Sequence, residues 1–177
     1  LFDPDRVGDI NGDAHDDLVA AVSDEEAVTP LTVLWGASDG FQMTAERVGD
    51  ADQNFNLVRC LDIDRDGQSE FLTVDSGDSS LTVTKHVTTD EETSYWQRED
   101  LTSLATLIYD IMVVDVDRDG LDDVVVAGNR SELGGIFVYP NRGGSLDTPD
   151  RYLQDSAPRS LAFVDIDADG VGDVVGP

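Results

Sequence analysis

The stretch Asp115-Val-Asp-Arg-Asp-Gly-Leu-Asp-Asp123 decides how this chain is read, because the sequence repeats it three more times. The other copies are Asp9-Ile-Asn-Gly-Asp-Ala-His-Asp-Asp17, Asp62-Ile-Asp-Arg-Asp-Gly-Gln-Ser-Glu70 and Asp165-Ile-Asp-Ala-Asp-Gly-Val-Gly-Asp173. Their first residues lie 53, 53 and 50 positions apart, a period characteristic of propellers and solenoids.

Acids at positions one, three, five and nine with a glycine at six describe a tight oxygen-lined loop, which suits a hard cation such as Ca2+. In the third copy the side-chain ligands are Asp115, Asp117, Asp119 and Asp123, with the backbone carbonyl of Leu121 as a fifth donor. The same positions are Asp9, Asn11, Asp13, His15 and Asp17 in the first copy, and Asp62, Asp64, Asp66, Gln68 and Glu70 in the second. In the fourth they are Asp165, Asp167, Asp169, Val171 and Asp173. Without a cation, carboxylates about 4 Å apart repel by ~1 kcal/mol per pair even in water. Up to four Ca2+ ions are therefore expected, one per loop. The first copy carries Asn11 at position three and Ala14 where the others have glycine. A left-handed alanine is strained by ~1 kcal/mol, so this site is expected to be the weakest.

An EF-hand continues to a bidentate Glu at position twelve and lies between helices. Here position twelve is Ala20, Thr73, Val126 and Gly176, and the flanks are β-branched runs such as Ile111-Met-Val-Val114 and Val124-Val-Val126, which read as strands. Thrombospondin-type repeats pack their acidic loops close together, whereas long strand-like segments separate these. With its acidic nonapeptides at this spacing, the chain resembles the FG-GAP/VCBS repeat family, the β-propeller blades of integrin α-subunit heads and of many bacterial surface proteins. Its closing Asp173-Val-Val-Gly-Pro177 is similar to a shortened form of that family's Gly-Ala-Pro ending.

The fold class expected is all-β, built of propeller blades that are four-stranded antiparallel meanders with the acidic loop between the first two strands. In blade one, Leu1–Gly8 ends the inner strand, and Leu18–Val22, Leu31–Trp35 and Phe41–Val48 follow. Blade two runs through Leu57–Leu61, Phe71–Val74, Leu81–Thr84 and Tyr95–Glu99, and blade three through Leu107–Val114, Val124–Ala127, Ile136–Tyr139 and Arg151–Leu153. A fourth unit starts at Ser160–Val164 and continues for one short strand. The repeats are thus approximately 1–53, 54–106, 107–157 and 158–177 of a single partial propeller domain. Loop position two is Ile10, Ile63, Val116 or Ile166, apolar throughout, so each loop is expected to pin itself to the core. The third strands alternate Leu31/Val33, Leu81/Val83 and Ile136/Val138, the period of a half-buried strand. Propellers close with about four to eight blades, so the chain is expected to be part of a larger propeller or to close its ring with further blades or a second copy.

A net charge of −27, from 38 acids against 11 bases, argues against nucleic acid and anionic membranes as partners. Lys85 is the one lysine among those bases, a bias that fits either a salt-rich habitat or a GC-rich genome. The lone Cys60 cannot form an intrachain disulfide and reads as a buried thiol. No apolar run is long enough for direct membrane insertion. His15 and His86 fall in different repeats, and no nucleophile elbow or phosphate loop occurs, so no catalytic residues are assigned and no enzyme is expected. The resemblance implies a calcium-stabilised adhesion or protein-binding module of a secreted or cell-surface protein. It also implies a ligand face opposite the calcium loops, formed by Ser23–Pro30, Asp75–Ser80 and Gly128–Gly135, with Arg130 and Glu132 as contacts. The alternative is a lectin-like propeller with a glycan partner, or a propeller attached to a polysaccharide-active enzyme. Trp35, Trp96 and Tyr139 are the candidates for its aromatic platform.

Overall fold

A computed structural model describes residues 7–21, 31–49, 55–75, 80–89, 93–101, 107–130, 133–152 and 158–176. Among them all regular structure is β-strand. The chain divides into two compact units, Leu1–Ser103 and Leu104–Pro177.

The first unit holds two four-stranded antiparallel meanders. One is β1 (Val7–Gly8), β2 (Asp17–Ala21), β3 (Leu31–Ala37) and β4 (Gly40–Val48); the other is β5 (Phe55–Leu61), β6 (Glu70–Asp75), β7 (Leu81–Thr88) and β8 (Ser94–Leu101). In the second unit β9 (Leu107–Val114), β10 (Asp123–Arg130), β11 (Leu133–Tyr139) and β12 (Asp150–Tyr152) form a third meander, and β13 (Ala162–Val164) pairs with β14 (Asp173–Val175). The expected blades are thus present, and only strand ends differ. Residues 1–6, 22 and 153 of the expected strands lie outside the described residues, as do 23–30, 76–79 and 131–132 of the expected ligand face.

Each acidic loop closes its hairpin in the same register. Gly8 faces Asp17, Leu61 faces Glu70, Val114 faces Asp123 and Val164 faces Asp173, so the residue before loop position one always pairs with position nine. The loops are therefore built into the first strand pair of each sheet.

In the first unit Ile10, Val19, Leu31, Val33, Val48, Phe55, Val58 and Phe71 form one core, with Trp35, Cys60 and Trp96 packed against it. Cys60 is accordingly half-buried, less enclosed than its sequence suggested. Leu31 and Val33 are buried as their alternation predicts. In β7 that pattern is overridden: Thr82, Thr84 and His86 are the alternately buried side chains, while Val83 and Lys85 are partly exposed. Trp35 of β3 lies against His86 and Trp96, so the neighbouring sheet covers that face. In the second unit Val124, Val125, Val126 and Ala127 are all fully buried, as expected of a strand with cover on both faces. Phe137 and Tyr139 are likewise buried alongside Ile136.

The acidic loops as a candidate metal centre

All four nonapeptides fold by one hydrogen-bonding scheme, dictated by aspartates that cap backbone N–H groups a few residues ahead. Position one accepts from position six: Asp9 from Ala14 at 2.8 Å, Asp62 from Gly67 at 3.0 Å, Asp115 from Gly120 at 2.9 Å and Asp165 from Gly170 at 2.9 Å. Position three accepts from position five, through Asn11, Asp64, Asp117 and Asp167 at 3.0–3.2 Å. Position five accepts from position seven, through Asp13, Asp66, Asp119 and Asp169, whose partners are the N–H groups of His15, Gln68, Leu121 and Val171.

Position nine is the staple. Asp17, Glu70, Asp123 and Asp173 each accept the N–H of position two, at 2.9, 2.8, 2.9 and 3.0 Å. The second oxygen of Asp17 accepts from Gly36 at 2.7 Å, and that of Asp123 from Asn141 at 2.8 Å. A buried carboxylate thereby ties the loop to the end of the third strand at Gly36 and to the segment just past it at Asn141. Burial pushes the carboxyls of Asp17 and Asp123 up, outweighing those hydrogen bonds. The apolar residue at position two is buried in the first two loops, Ile10 at 0% and Ile63 at 6% exposure, but Ile166 is 64% exposed. The expected pin thus fails in the fourth loop, which closes a two-stranded sheet among the described residues.

Every loop demands two left-handed residues, at positions four and six. In the first loop they are Gly12 and Ala14; in the others they are Arg65 with Gly67, Arg118 with Gly120, and Ala168 with Gly170. Each loop thus contains one glycine and one strained non-glycine, and the first has only exchanged their places. The expectation that Ala14 singles out the first loop as strained is corrected accordingly.

Oxygen atoms of Asp62, Asp64 and Asp66 lie within 4.8 Å of one another, as do those of Asp115, Asp117 and Asp123, and those of Asp165, Asp167 and Asp173. Calcium–oxygen bonds of 2.3–2.6 Å place ligands on opposite sides of the ion on the order of 5 Å apart, so these donor sets fit a hard cation. Among the described residues no such trio of acidic groups occurs in the first loop; Asn11 supplies an amide there, and the His15 ring turns back to Asp13 at 3.2 Å. Arg142 reaches Asp117 at 3.1 Å from the exposed side of the third loop.

Sequence reading missed one participant. Lys85 Nζ lies 2.8 Å from Asp64, 2.8 Å from Asp66 and 2.9 Å from Glu70. Phe71 pairs with Thr84, which sets Lys85 alongside Glu70; the signal was a lone lysine on the strand neighbouring an acidic loop. Burial works against the ammonium, but hydrogen bonds to the three carboxylates lift its pKa well above the ordinary lysine value.

The three aromatic candidates do not make an exposed platform. Trp35 and Trp96 stack at 6.1 Å and pack against the core, with Trp96 Nε1 donating to Glu46 at 2.8 Å. Tyr139, in the other unit, is 2% exposed.

Comparison with curated proteins found no match. The family model of the FG-GAP-like repeat matches residues 115–176, a span that contains the third and fourth acidic loops and the strands between them, and over this segment the chain is similar to an FG-GAP-like repeat.

Proposed function

We propose that this chain is a calcium-stabilised module of β-propeller type, serving adhesion or protein binding in a secreted or cell-surface protein. The observation that carries the reading is the recurrence of one loop geometry at the same point of successive antiparallel sheets, with the FG-GAP-like match across two of the copies. Calcium is favoured by an all-oxygen donor set without a soft ligand. Asp115, Asp117, Asp119, Asp123 and the Leu121 carbonyl form the reference site, and Asp165, Asp167, Asp169, Asp173 and the Val171 carbonyl of the fourth repeat match it position for position. The role is structural: Ca2+ would offset the repulsion of carboxylates gathered where two paired strands join.

Extracellular calcium modules bind at about 10⁻⁴ to 10⁻³ M, and at ten times the dissociation constant each site adds about 1.4 kcal/mol. Several sites together are comparable with the net stability of a domain, about 5–15 kcal/mol. Calcium-loaded protein treated with EDTA is expected to melt several degrees lower, and Asp117→Ala to reproduce part of that loss. Coincident melting curves for loaded and stripped protein would remove the structural role.

A further inference from the structure

We infer that Lys85 is the resident cation of the second acidic loop, so that this loop does not take up calcium at concentrations that fill the third and fourth. The inference rests on the calcium reading above and concerns only where that reading does not extend. Three of the loop's four carboxylates, at positions three, five and nine, converge on one ammonium at 2.8–2.9 Å. A calcium ion ligated by the same oxygens at 2.3–2.6 Å would occupy the same space as Nζ, so the two exclude each other.

The chemistry of the partners fits the substitution. A lysine ammonium is a compact point charge with three donors and no acceptor, and three carboxylate oxygens match it. In the first and third loops both oxygens of the position-nine aspartate accept backbone N–H groups. The second loop has the longer Glu70, whose Oε1 is buried and accepts no backbone N–H, and lies beside Nζ instead. Expelling Lys85 to admit a metal would therefore cost the ion pair of a buried carboxylate. The residues of β3 and of the segment after β11 that stand in the same place are Trp35 and Pro140, neither of them a cation. The first and third loops therefore have no cation at this register to put in the metal's place. Asp62 Oδ1 is the buried oxygen of position one that neither Lys85 nor a backbone N–H reaches, and it does not by itself make a site.

The test is calcium stoichiometry, by calorimetry and metal analysis, on the whole chain. Lys85→Met keeps the length of the side chain and removes its charge. It is expected to bind one calcium more than the wild type, and Lys85→Met/Asp66→Asn to lose that extra ion. Asp66→Asn alone is expected to leave the wild-type stoichiometry unchanged. Equal stoichiometry in wild type and Lys85→Met, or loss of one ion in Asp66→Asn, overturns the inference. If the second loop fills together with the others in the wild type, the calcium reading stands and the inference falls. If neither wild type nor Lys85→Met binds calcium, both fall. Should Lys85→Met not fold, the wild type itself decides, because Lys85 is the chain's only lysine and amine acetylation followed by peptide mass analysis reports on it alone. Its labelling is expected to be slow and unchanged by saturating calcium. Faster labelling when calcium is added means that the metal displaces it, and overturns the inference.

Discussion

Asp123 is completely buried, carries two backbone hydrogen bonds and stands beside the acidic loop, so one residue holds strand, loop and turn together. An asparagine there offers one acceptor oxygen and turns an N–H₂ toward the other donor, leaving either Val116 or Asn141 with an unmatched N–H. Leaving a buried donor unpaired costs about 1–3 kcal/mol, the loss expected for Asp123→Asn in urea denaturation of metal-stripped protein. Asp173→Asn is expected to cost less, because Asp173 is only partly buried and the hydrogen bond assigned to it is that from Ile166. An equal loss at both positions would mean that the charge, and not the pairing, is what matters. The same scale explains how Ala14 is tolerated. With Gly12 at position four, the first loop carries one strained non-glycine residue, as do the loops holding Arg65, Arg118 and Ala168.

At the level of strands, the inner ones carry the stability and the outer ones carry solubility. Phe71 on β6 is fully buried and stands edge-on to Trp96 at 5.5 Å. Truncating a buried Phe costs about 3–5 kcal/mol through lost transfer energy and the cavity left behind, so Phe71→Ala is expected to lower the melting temperature sharply. Phe41 on the edge strand β4 is 48% exposed, and Phe41→Ala is expected to stay within about 0.5 kcal/mol. Thermal melts of the two variants side by side check the contrast; similar losses would mean that β4 is covered in solution. The edge strand β8 displays Glu99 and Asp100, charges of the kind that discourage edge-to-edge pairing.

Over the whole molecule, a net charge of −27 makes the metal-free chain sensitive to pH in two opposed ways. Burial raises the carboxyls of Asp17, Glu70 and Asp123 above their ordinary values, so the folded state binds protons there more tightly than the unfolded chain. Stability from these groups grows as pH falls through their raised values toward the ordinary ones. Asp13 and Asp66 behave in the opposite sense. Burial works to raise them, but hydrogen bonds from His15 and Asn11, and from Lys85 and Gln68, outweigh it and hold both below 3.8. Their contribution is complete above that value and is lost as pH falls through their depressed ones. Metal-stripped protein is thus expected to reach its highest melting temperature at acid pH, between the raised values of the first group and the depressed values of the second. A scan showing steady decline from neutral pH downward contradicts this balance.

The sequence by itself determined the period, the meanders and the loop positions, because alternating aspartates, glycines and β-branched runs act through neighbours a few residues away. Asp-to-N–H caps and hairpin register are local, and they appear where the repeat places them. Only tertiary structure decided which faces are covered. Thr82 and Thr84 are buried because Trp35 and its sheet lie over that side of the blade, and Ile166 is exposed because its sheet has two strands among the described residues. Lys85 belongs to the same class. Its charge is visible in the sequence, but its place among Asp64, Asp66 and Glu70 follows from strand pairing across 15 to 21 residues. Burial and charge compensation depend on what the folded chain brings alongside, and a repeat pattern is blind to that.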